Sequence, residues 1–513
     1  MRVLFFWFNL NCPARMNIGV SVLAAELKKA GHEAGVVYLN EKVGRRFDPG
    51  GIISECKEFG PDLFALSFGS NHFKYAAELI RELKGLFPAT KVICGGLHAT
   101  LKPEEVISVP GVDYLCIGEG DGVFAEFVSR LEKGGDIGGM KSFWIRTESG
   151  VIRNTMEAPP AITAQTMLDV DVVDHRAIIM ENRGIFETIA GRGCPNRCTF
   201  CYNHALRCAY ARHTGASEKD VNYFRLRSVG NLIDELKMVL SKYGDIIKLI
   251  SFADDAFNYD KRWLSEFVEA YRKNINLPYT ANILLDKVDE KIADGLFRSG
   301  CSLARVGLES GSEEIRSKVL KKPFSAADVY RAFRILAGHH VNTRVYLMIG
   351  LPGERCEDML STFELVARLK ADSARLCVFY PLPGTEIYDY CARNNLIGRS
   401  GWDNFDTISI LKWPEETGIF LKKAVAIFDW IQNMYLRSGI SPTYEKLVGE
   451  AMRMSAGEWE SDETRKWIAE TSRECFERFR SDGHEVYFRP FPESPYTAFL
   501  YNRKRKIPIV NID

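Results

Sequence analysis

Gly191-Arg-Gly-Cys194-Pro-Asn-Arg-Cys198-Thr-Phe-Cys201-Tyr-Asn203 carries three cysteines with three and then two residues between them. A loop with that spacing can curl around three corners of an iron–sulfur cube. Electron-transfer cubanes use four cysteines. Three without a close fourth leave one iron open, so the expected group is a [4Fe–4S] cluster that does chemistry at the open corner, with Cys194, Cys198 and Cys201 as its ligands. Zinc is the competing reading. His204 and Cys208 lie close enough in sequence to make a knuckle conceivable, but structural zinc favours paired ligands with other spacings. A chance grouping is also open in a chain with 13 cysteines.

The chain has 513 residues, too many for one core, so two or three domains are expected. Lys+Arg and Asp+Glu both number 67, and this balance argues against bulk nucleic-acid binding. The apolar start, Met1–Phe8, is interrupted by Asn9, Asn11 and Pro13 and reads as a buried strand, not a signal peptide. No run approaches the ~18 apolar residues of a membrane helix. The cysteine usage predicts reduced thiols, and hence a cytoplasmic, oxygen-poor setting.

Outward from the motif, strands and helices alternate twice. In residues 1–135, strands are expected at Val3–Phe8, Gly35–Leu39, Leu63–Ser67, Lys91–Cys94 and Tyr114–Ile117, with helices between them and a last helix at Val123–Glu132. That alternation predicts a doubly wound α/β sheet, Rossmann-like and flavodoxin-like in class, whose ligand loops follow Phe8, Ser67, Cys94 and Ile117. Residues 136–184 read as a connector with a hairpin, Ser142–Thr147 and Val151–Asn154. Residues 185–400 give six strand–helix units, which suit a partial β/α barrel with its chemistry at the strand C-termini. The cysteine loop follows the first of these strands. Residues 401–513 read as mainly helical, with one long helix at Phe420–Arg437 and a terminal hairpin, Glu485–Phe488 and Tyr496–Tyr501.

Three more strand ends in the second unit carry polar or glycine-rich loops. The second strand ends Phe252-Ala-Asp254-Asp255-Ala-Phe257, where a carboxylate can take an ammonium group or merely cap the next helix. The fourth ends Gly307-Leu-Glu309-Ser310-Gly-Ser312, suited to a ribose hydroxyl, with Ser312 as helix cap. The fifth ends Ile349-Gly350-Leu-Pro-Gly353-Glu354, where glycine lets the backbone approach a flat ring.

With Pro381-Leu-Pro-Gly-Thr-Glu386, Gly95-Gly96-Leu-His98 and Gly118-Glu119-Gly120, these motifs resemble the radical S-adenosylmethionine (SAM) enzymes that carry an N-terminal cobalamin-binding domain. That group includes anaerobic magnesium-protoporphyrin cyclases, hopanoid methylases and natural-product methylases. The resemblance spans about residues 1–400. It implies that the cluster's open iron takes the methionine part of SAM, and that Phe200 packs near the adenine. Asp254 or Asp255 would hold the amino group, Glu309 with Ser310 the ribose side, and Ile349, Gly350 and Gly353 the adenine. An electron from the cluster would cleave SAM to methionine and a 5′-deoxyadenosyl radical, which takes a hydrogen atom from the substrate. The histidine-ligand pattern Asp-x-His-x-x-Gly of other cobalamin enzymes is absent. Within this branch Ser67, Gly69, Asn71 and His72 would face the lower side of cobalt, with His72 ligating or merely approaching the metal, or else starting a surface helix. His98 would touch the nucleotide tail, and Gly95, Gly96, Gly118, Glu119 and Gly120 complete the cobalamin loops. Cys94, Cys116 and Cys377 read as apolar strand residues. Cys208 is the one further thiol to watch as a second catalytic group.

The leading expectation is a cobalamin-dependent radical SAM enzyme that methylates an unactivated carbon. A cyclase or rearrangement enzyme with the same cofactors is the near alternative, and a cluster- and cobalamin-bearing sensor without turnover is the remote one. A flavodoxin or ferredoxin is the expected electron donor, and a small molecule (lipid, tetrapyrrole or polyketide) the expected substrate. Trp402, Phe405, Trp413, Tyr487 and Phe491 are candidates either for an apolar substrate pocket or for simple core.

Overall fold

The computed structural model describes residues 1–398, 409–490 and 496–502. Its first unit is a sheet whose parallel strands run Glu33–Leu39, Arg2–Phe8, Leu63–Ser67, Lys91–Gly95 and Tyr114–Cys116 in spatial order. The order reverses between the first and third strands of the chain, which is the place where such sheets bind ligands. Val3–Phe8 is buried along its whole length because helices cover both faces. Helix Phe73–Leu86, for example, turns Ala76, Leu79, Ile80 and Leu83 inward, at helical spacing.

The hairpin does not stand apart in a connector. Phe143–Thr147 pairs antiparallel with Tyr114–Cys116, and Gly150–Arg153 pairs with it in turn, so the first sheet has seven strands. The added strands cover an open edge. Phe143 also stacks on Phe127 of the preceding helix at 4.2 Å.

The second unit is the partial β/α barrel. Six parallel strands follow in chain order: Ile185–Thr188, Leu249–Phe252, Tyr279–Ile283, Cys301–Glu309, Thr343–Ile349 and Ser373–Val378. Its open side is extended by the terminal hairpin. Thr497–Tyr501 runs antiparallel to Ser373–Val378, and Val486–Phe488 lies outside it. The segment after the fourth strand is not a full α-helix from Ser312. It is a short π-helical turn, Ile315–Val319, with the Ser312 hydroxyl accepting from the Ile315 amide.

The helix expected over Phe420–Arg437 is two helices, Glu415–Ala426 and Phe428–Tyr435. The Arg489 guanidinium donates to the carbonyls of Val425 and Ala426 at the break, replacing the helix bonds that a continuous turn would make. Tyr487 is core: it is 1% exposed, and its hydroxyl donates to the Ala371 carbonyl at 2.8 Å. Trp402, Phe405 and Phe491 lie outside the described residues. No helix among the described residues is long and apolar enough to cross a membrane.

Candidate active site

The cysteine loop leaves the first barrel strand through a ribbon. Gly191–Arg192 pairs antiparallel with Arg225–Leu226. A side chain at Gly191 would meet the Arg225 carbonyl at 2.6 Å, and one at Gly193 would meet the Tyr223 carbonyl at 2.2 Å. Gly193 also has φ +82°, so both glycines are required by close backbone approach. Downstream, the Thr199 hydroxyl donates to the Val319 carbonyl at 2.7 Å, and Arg207 donates to the Pro195 carbonyl at 2.9 Å. The loop is thus tied at both flanks to the barrel.

Cys194 and Cys198 are buried and Cys201 is half-buried. Burial pushes Cys194 up to about 12 and Cys201 up to about 11, and raises Cys198. Buried thiols of this kind give up their protons to a metal and not to water. Among the described residues, the set whose ligand atoms all lie within 4.8 Å of one another is His204, Cys208 and Glu218, not the cysteine triad. Thiols spread more widely than a single-ion site suit a cluster's corners. The His204 set is a poor zinc site despite its compactness, since Arg197 and Arg207 both lie within 4.0 Å of the same Glu218 oxygen. Cys208 lies beside Glu218, and burial together with that carboxylate raises its thiol, which disfavours a nucleophilic role.

The two adjacent aspartates have different surroundings. Both Asp254 oxygens accept from the Ala190 amide, at 3.1 and 2.9 Å, so this carboxyl fastens the end of the first barrel strand. Burial lifts it to about 7 against those amide bonds. Asp255 is exposed and lies near Cys194 and Cys201, and desolvation from the protein packed around it raises its carboxyl against the neighbouring Asn203 amide. Of the pair, only Asp255 presents a carboxylate beside the cysteines.

Glu309, 8% exposed and in left-handed backbone at φ +70°, is paired with Lys322 at 3.1 Å. No local sequence motif marks Lys322 as part of the site. Burial opposes its charge, but Glu309 and the thiols of Cys198 and Cys201 outweigh that and keep it protonated. Its ammonium lies 5.6 Å from the Phe200 ring. Ser310 is fully buried, and its hydroxyl accepts from the Ser312 amide, so it shapes the turn and presents nothing to a ligand. Ile349 is core, its carbonyl accepting from the Phe379 amide at 2.8 Å. Gly350, at φ +80°, is covered by Trp413, whose indole N–H donates to the Gly350 carbonyl at 3.2 Å. Glu354 holds this loop by accepting from the amides of Gly350 and Leu351. Gly353 is exposed, with φ +77°. Phe200, Met348 and Trp413 pack on one apolar cluster with Leu351.

The loops of the first sheet face this site. Ser70 bonds Tyr202, the residue after Cys201, at 3.2 Å. His72 is buried and not on the surface. Its Nε2 meets the Leu10 carbonyl at 3.2 Å, joining the loops after the first and third strands across the switch point. A carbonyl only accepts, so this bond needs a proton on Nε2, whereas the Asn71 Nδ2 at 3.2 Å from the same nitrogen needs it bare. Asn71, Gly69 and Ser67 are half-buried beside it, and Gly95 and Gly96 lie on the neighbouring strand end. Gly96, at φ +87°, lies so close to the Phe68 backbone that a Cβ there would sit 3.0 Å from its N and O. His98 bonds Ser70 through Nδ1 at 2.9 Å, while its buried Nε2 makes no hydrogen bond and lies 3.6 Å from a Glu105 carboxylate oxygen. A buried nitrogen that makes no hydrogen bond, with only a distant carboxylate beside it, fits a bound polar group there. Gly118, at φ +82°, backs onto Tyr210, and Gly120 onto Leu23. Glu119 is not open to a ligand: it pairs with Arg192 at 2.7 Å and with Arg225 at 2.5 Å, both on the ribbon before Cys194. Cys94 and Cys116 are buried strand residues, whereas Cys377 is half-buried.

Comparison with known proteins accounts for both units. Residues 16–128 match the B12-binding domain, and residues 188–366 match the radical SAM superfamily. The chain is 26% identical over 393 residues to an uncharacterized methyltransferase of Pyrococcus horikoshii, covering 74% of this chain and 80% of the relative. It is 21% identical over 436 residues to cytidylyl-2-hydroxyethylphosphonate methyltransferase of Streptomyces wedmorensis, covering 74% and 78%. The fold matches the cobalamin-dependent SAM radical enzyme OxsB, solved with aqua-cobalamin and SAM, at TM-score 0.66 and 16% identity, over 92% of this chain and 75% of that one. The chain therefore belongs to the cobalamin-dependent radical SAM enzymes, with a [4Fe–4S] cluster, SAM and cobalamin as its cofactors.

Proposed function

We propose that this enzyme methylates a carbon of a small molecule, with the acceptor held between the two sheets. The observation that carries the proposal is the contact of Ser70 with Tyr202, which brings the ligand loops of the first sheet to within one residue of Cys201. When bound, the cluster supplies the electron that makes a 5′-deoxyadenosyl radical from SAM, and cobalamin carries the methyl group.

The chain's own groups then have these tasks. Cys194, Cys198 and Cys201 hold the cluster. Asp255 takes the SAM ammonium, and the Lys322 ammonium faces its carboxylate. Glu309, already oriented by Lys322, accepts from the ribose. Phe200, Gly350 and Gly353 line the adenine side, and Trp413 keeps water from it. In the first unit, Ser67, Gly69, Asn71, Gly95, Gly96 and His98 line the cobalamin crevice. His72, whose Nε2 meets the Leu10 carbonyl and the Asn71 amide, would line the same crevice. Residues 1–135 with the 143–153 hairpin form the cobalamin unit, 185–400 the barrel, and 401–513 the cover that selects substrate. A flavodoxin or ferredoxin donates electrons, and the enzyme works in an anaerobic cytoplasm.

A substrate-free test is available. Enzyme reconstituted anaerobically with iron, sulfide and cobalamin is reduced and given SAM labelled in the methyl group. Label on the cobalamin, released with it on denaturation, is expected at close to one per chain. Cobalamin that binds yet acquires no label would rule out methyl transfer.

A further inference from the structure

Asn203 has an amide whose every atom is assigned by its neighbours. Its Nδ2 donates to Cys201 Sγ at 3.7 Å. The same amide lies beside the Asp255 carboxylate and favours its charged form. A thiolate and a carboxylate only accept, so the NH₂ must face them and Oδ1 must face the other way. There Oδ1 accepts from the Tyr223 hydroxyl at 3.1 Å. Tyr223 is 5% exposed, and its carbonyl takes the Arg225 Nε at 3.2 Å, on the ribbon that Glu119 holds. The amide cannot flip without breaking both hydrogen bonds at once.

We propose that Asn203 is a positioning residue that sets the reduction potential of the cluster, through an N–H···S bond to Cys201 whose direction Tyr223 locks. Reduction adds negative charge to the cluster, and a donor on a ligating sulfur stabilises the reduced form. Without that donor, reduction becomes harder. The inference rests on the assignment of Cys194, Cys198 and Cys201 as cluster ligands.

The test is a potentiometric titration of the full-length reconstituted enzyme without SAM, read by the electron paramagnetic resonance of the reduced cluster. In Asn203→Ala the ratio of reduced to oxidised cluster at a fixed potential is expected to fall about tenfold, which is ~59 mV for one electron. Asn203→Asp, which replaces the donor with a charge, is expected to fall further. Tyr223→Phe keeps the ring, frees the amide, and is expected to fall by less than Asn203→Ala. Iron content and circular dichroism matching the wild type separate this from a loss of fold. If the potentials of the Asn203 variants equal the wild type's, the inference is overturned. Should the Asn203 variants fail to hold iron, Tyr223→Phe decides alone: a lowered potential supports the inference and an unchanged one overturns it. A wild type that forms no four-iron signal would instead overturn the ligand assignment beneath it.

Discussion

Arg192 and Asp121 meet through two parallel N–H···O bonds of 2.7 Å each, joining the ribbon before Cys194 to the last loop of the cobalamin unit. Glu119 adds a third bond at 2.7 Å, and the arginine and both acids are at most 20% exposed. Burial opposes the Arg192 charge, but the two acids outweigh it and hold the guanidinium protonated. Removing one partner of a buried cluster strands the others. Arg192→Ala should therefore cost about 3 kcal/mol in urea unfolding. Arg192→Lys, which cannot make the fork, should fall between the two. Iron retention should follow the same order, because the ribbon leads directly into the cysteine loop.

The two aspartates give a paired prediction. Asp254→Asn turns an N–H toward the Ala190 amide that Asp254 now accepts from. Two donors facing each other in the core should loosen the strand end and cut iron content. Asp255→Asn should keep the iron and weaken SAM binding about tenfold, close to 1.4 kcal/mol. Iron assay with calorimetric titration of SAM checks both. Equal SAM affinity in Asp255→Asn and wild type would remove Asp255 from the SAM site.

Much of this site could be read from the chain because strand-end loops bring their chemistry in short motifs. Cys194, Cys198, Cys201 and the loop at Gly350 are local in sequence, and the parallel strands that carry them are plain apolar runs. What the sequence did not reveal depends on partners far apart. Asp254 could not be told from Asp255 without seeing Ala190 across the strand pair, 64 residues away. Glu119 read as a ligand residue because its loop is glycine-rich, yet its partners are Arg192 and Arg225 in the other unit. Lys322 follows an exposed Lys321 and precedes a proline, and nothing local marks it as buried. The break after Ala426 is made by Arg489, more than sixty residues on, so helical periodicity alone ran through it.

Gly193 offers a sharper test of the ribbon. Its φ of +82° disfavours any side chain, and a Cβ would lie 2.2 Å from the Tyr223 carbonyl. No flexible side chain can yield there, because the obstacle is backbone. Gly193→Ala should therefore separate Gly191–Arg192 from Arg225–Leu226 and abolish cluster assembly, although none of the three cysteines has changed. Gly215→Ala, whose Cβ meets nothing within 4 Å but whose φ is also positive at +72°, serves as the control for backbone strain alone. It should lose about 1 kcal/mol of stability and keep its iron.

His98 makes the cobalamin unit sensitive to acid. Burial, reinforced by Lys102, pushes its imidazole down to about 4. As pH falls through about 6.5, the unfolded chain takes a proton that the folded one refuses. Stability is then lost until about pH 4, where the folded imidazole also titrates. The whole effect is worth at most about 3 kcal/mol, since each pH unit between the two values counts for ~1.4 kcal/mol. His98→Asn does not titrate, and its amide occupies the place of Nδ1, where Ser70 bonds. His72 and His175 are also held neutral by burial and contribute equally to both proteins. The difference in urea midpoint between variant and wild type should thus move in the variant's favour as pH falls from 7 to 4.5. A difference that stays constant over that range would show that His98 titrates alike in the folded and unfolded chain.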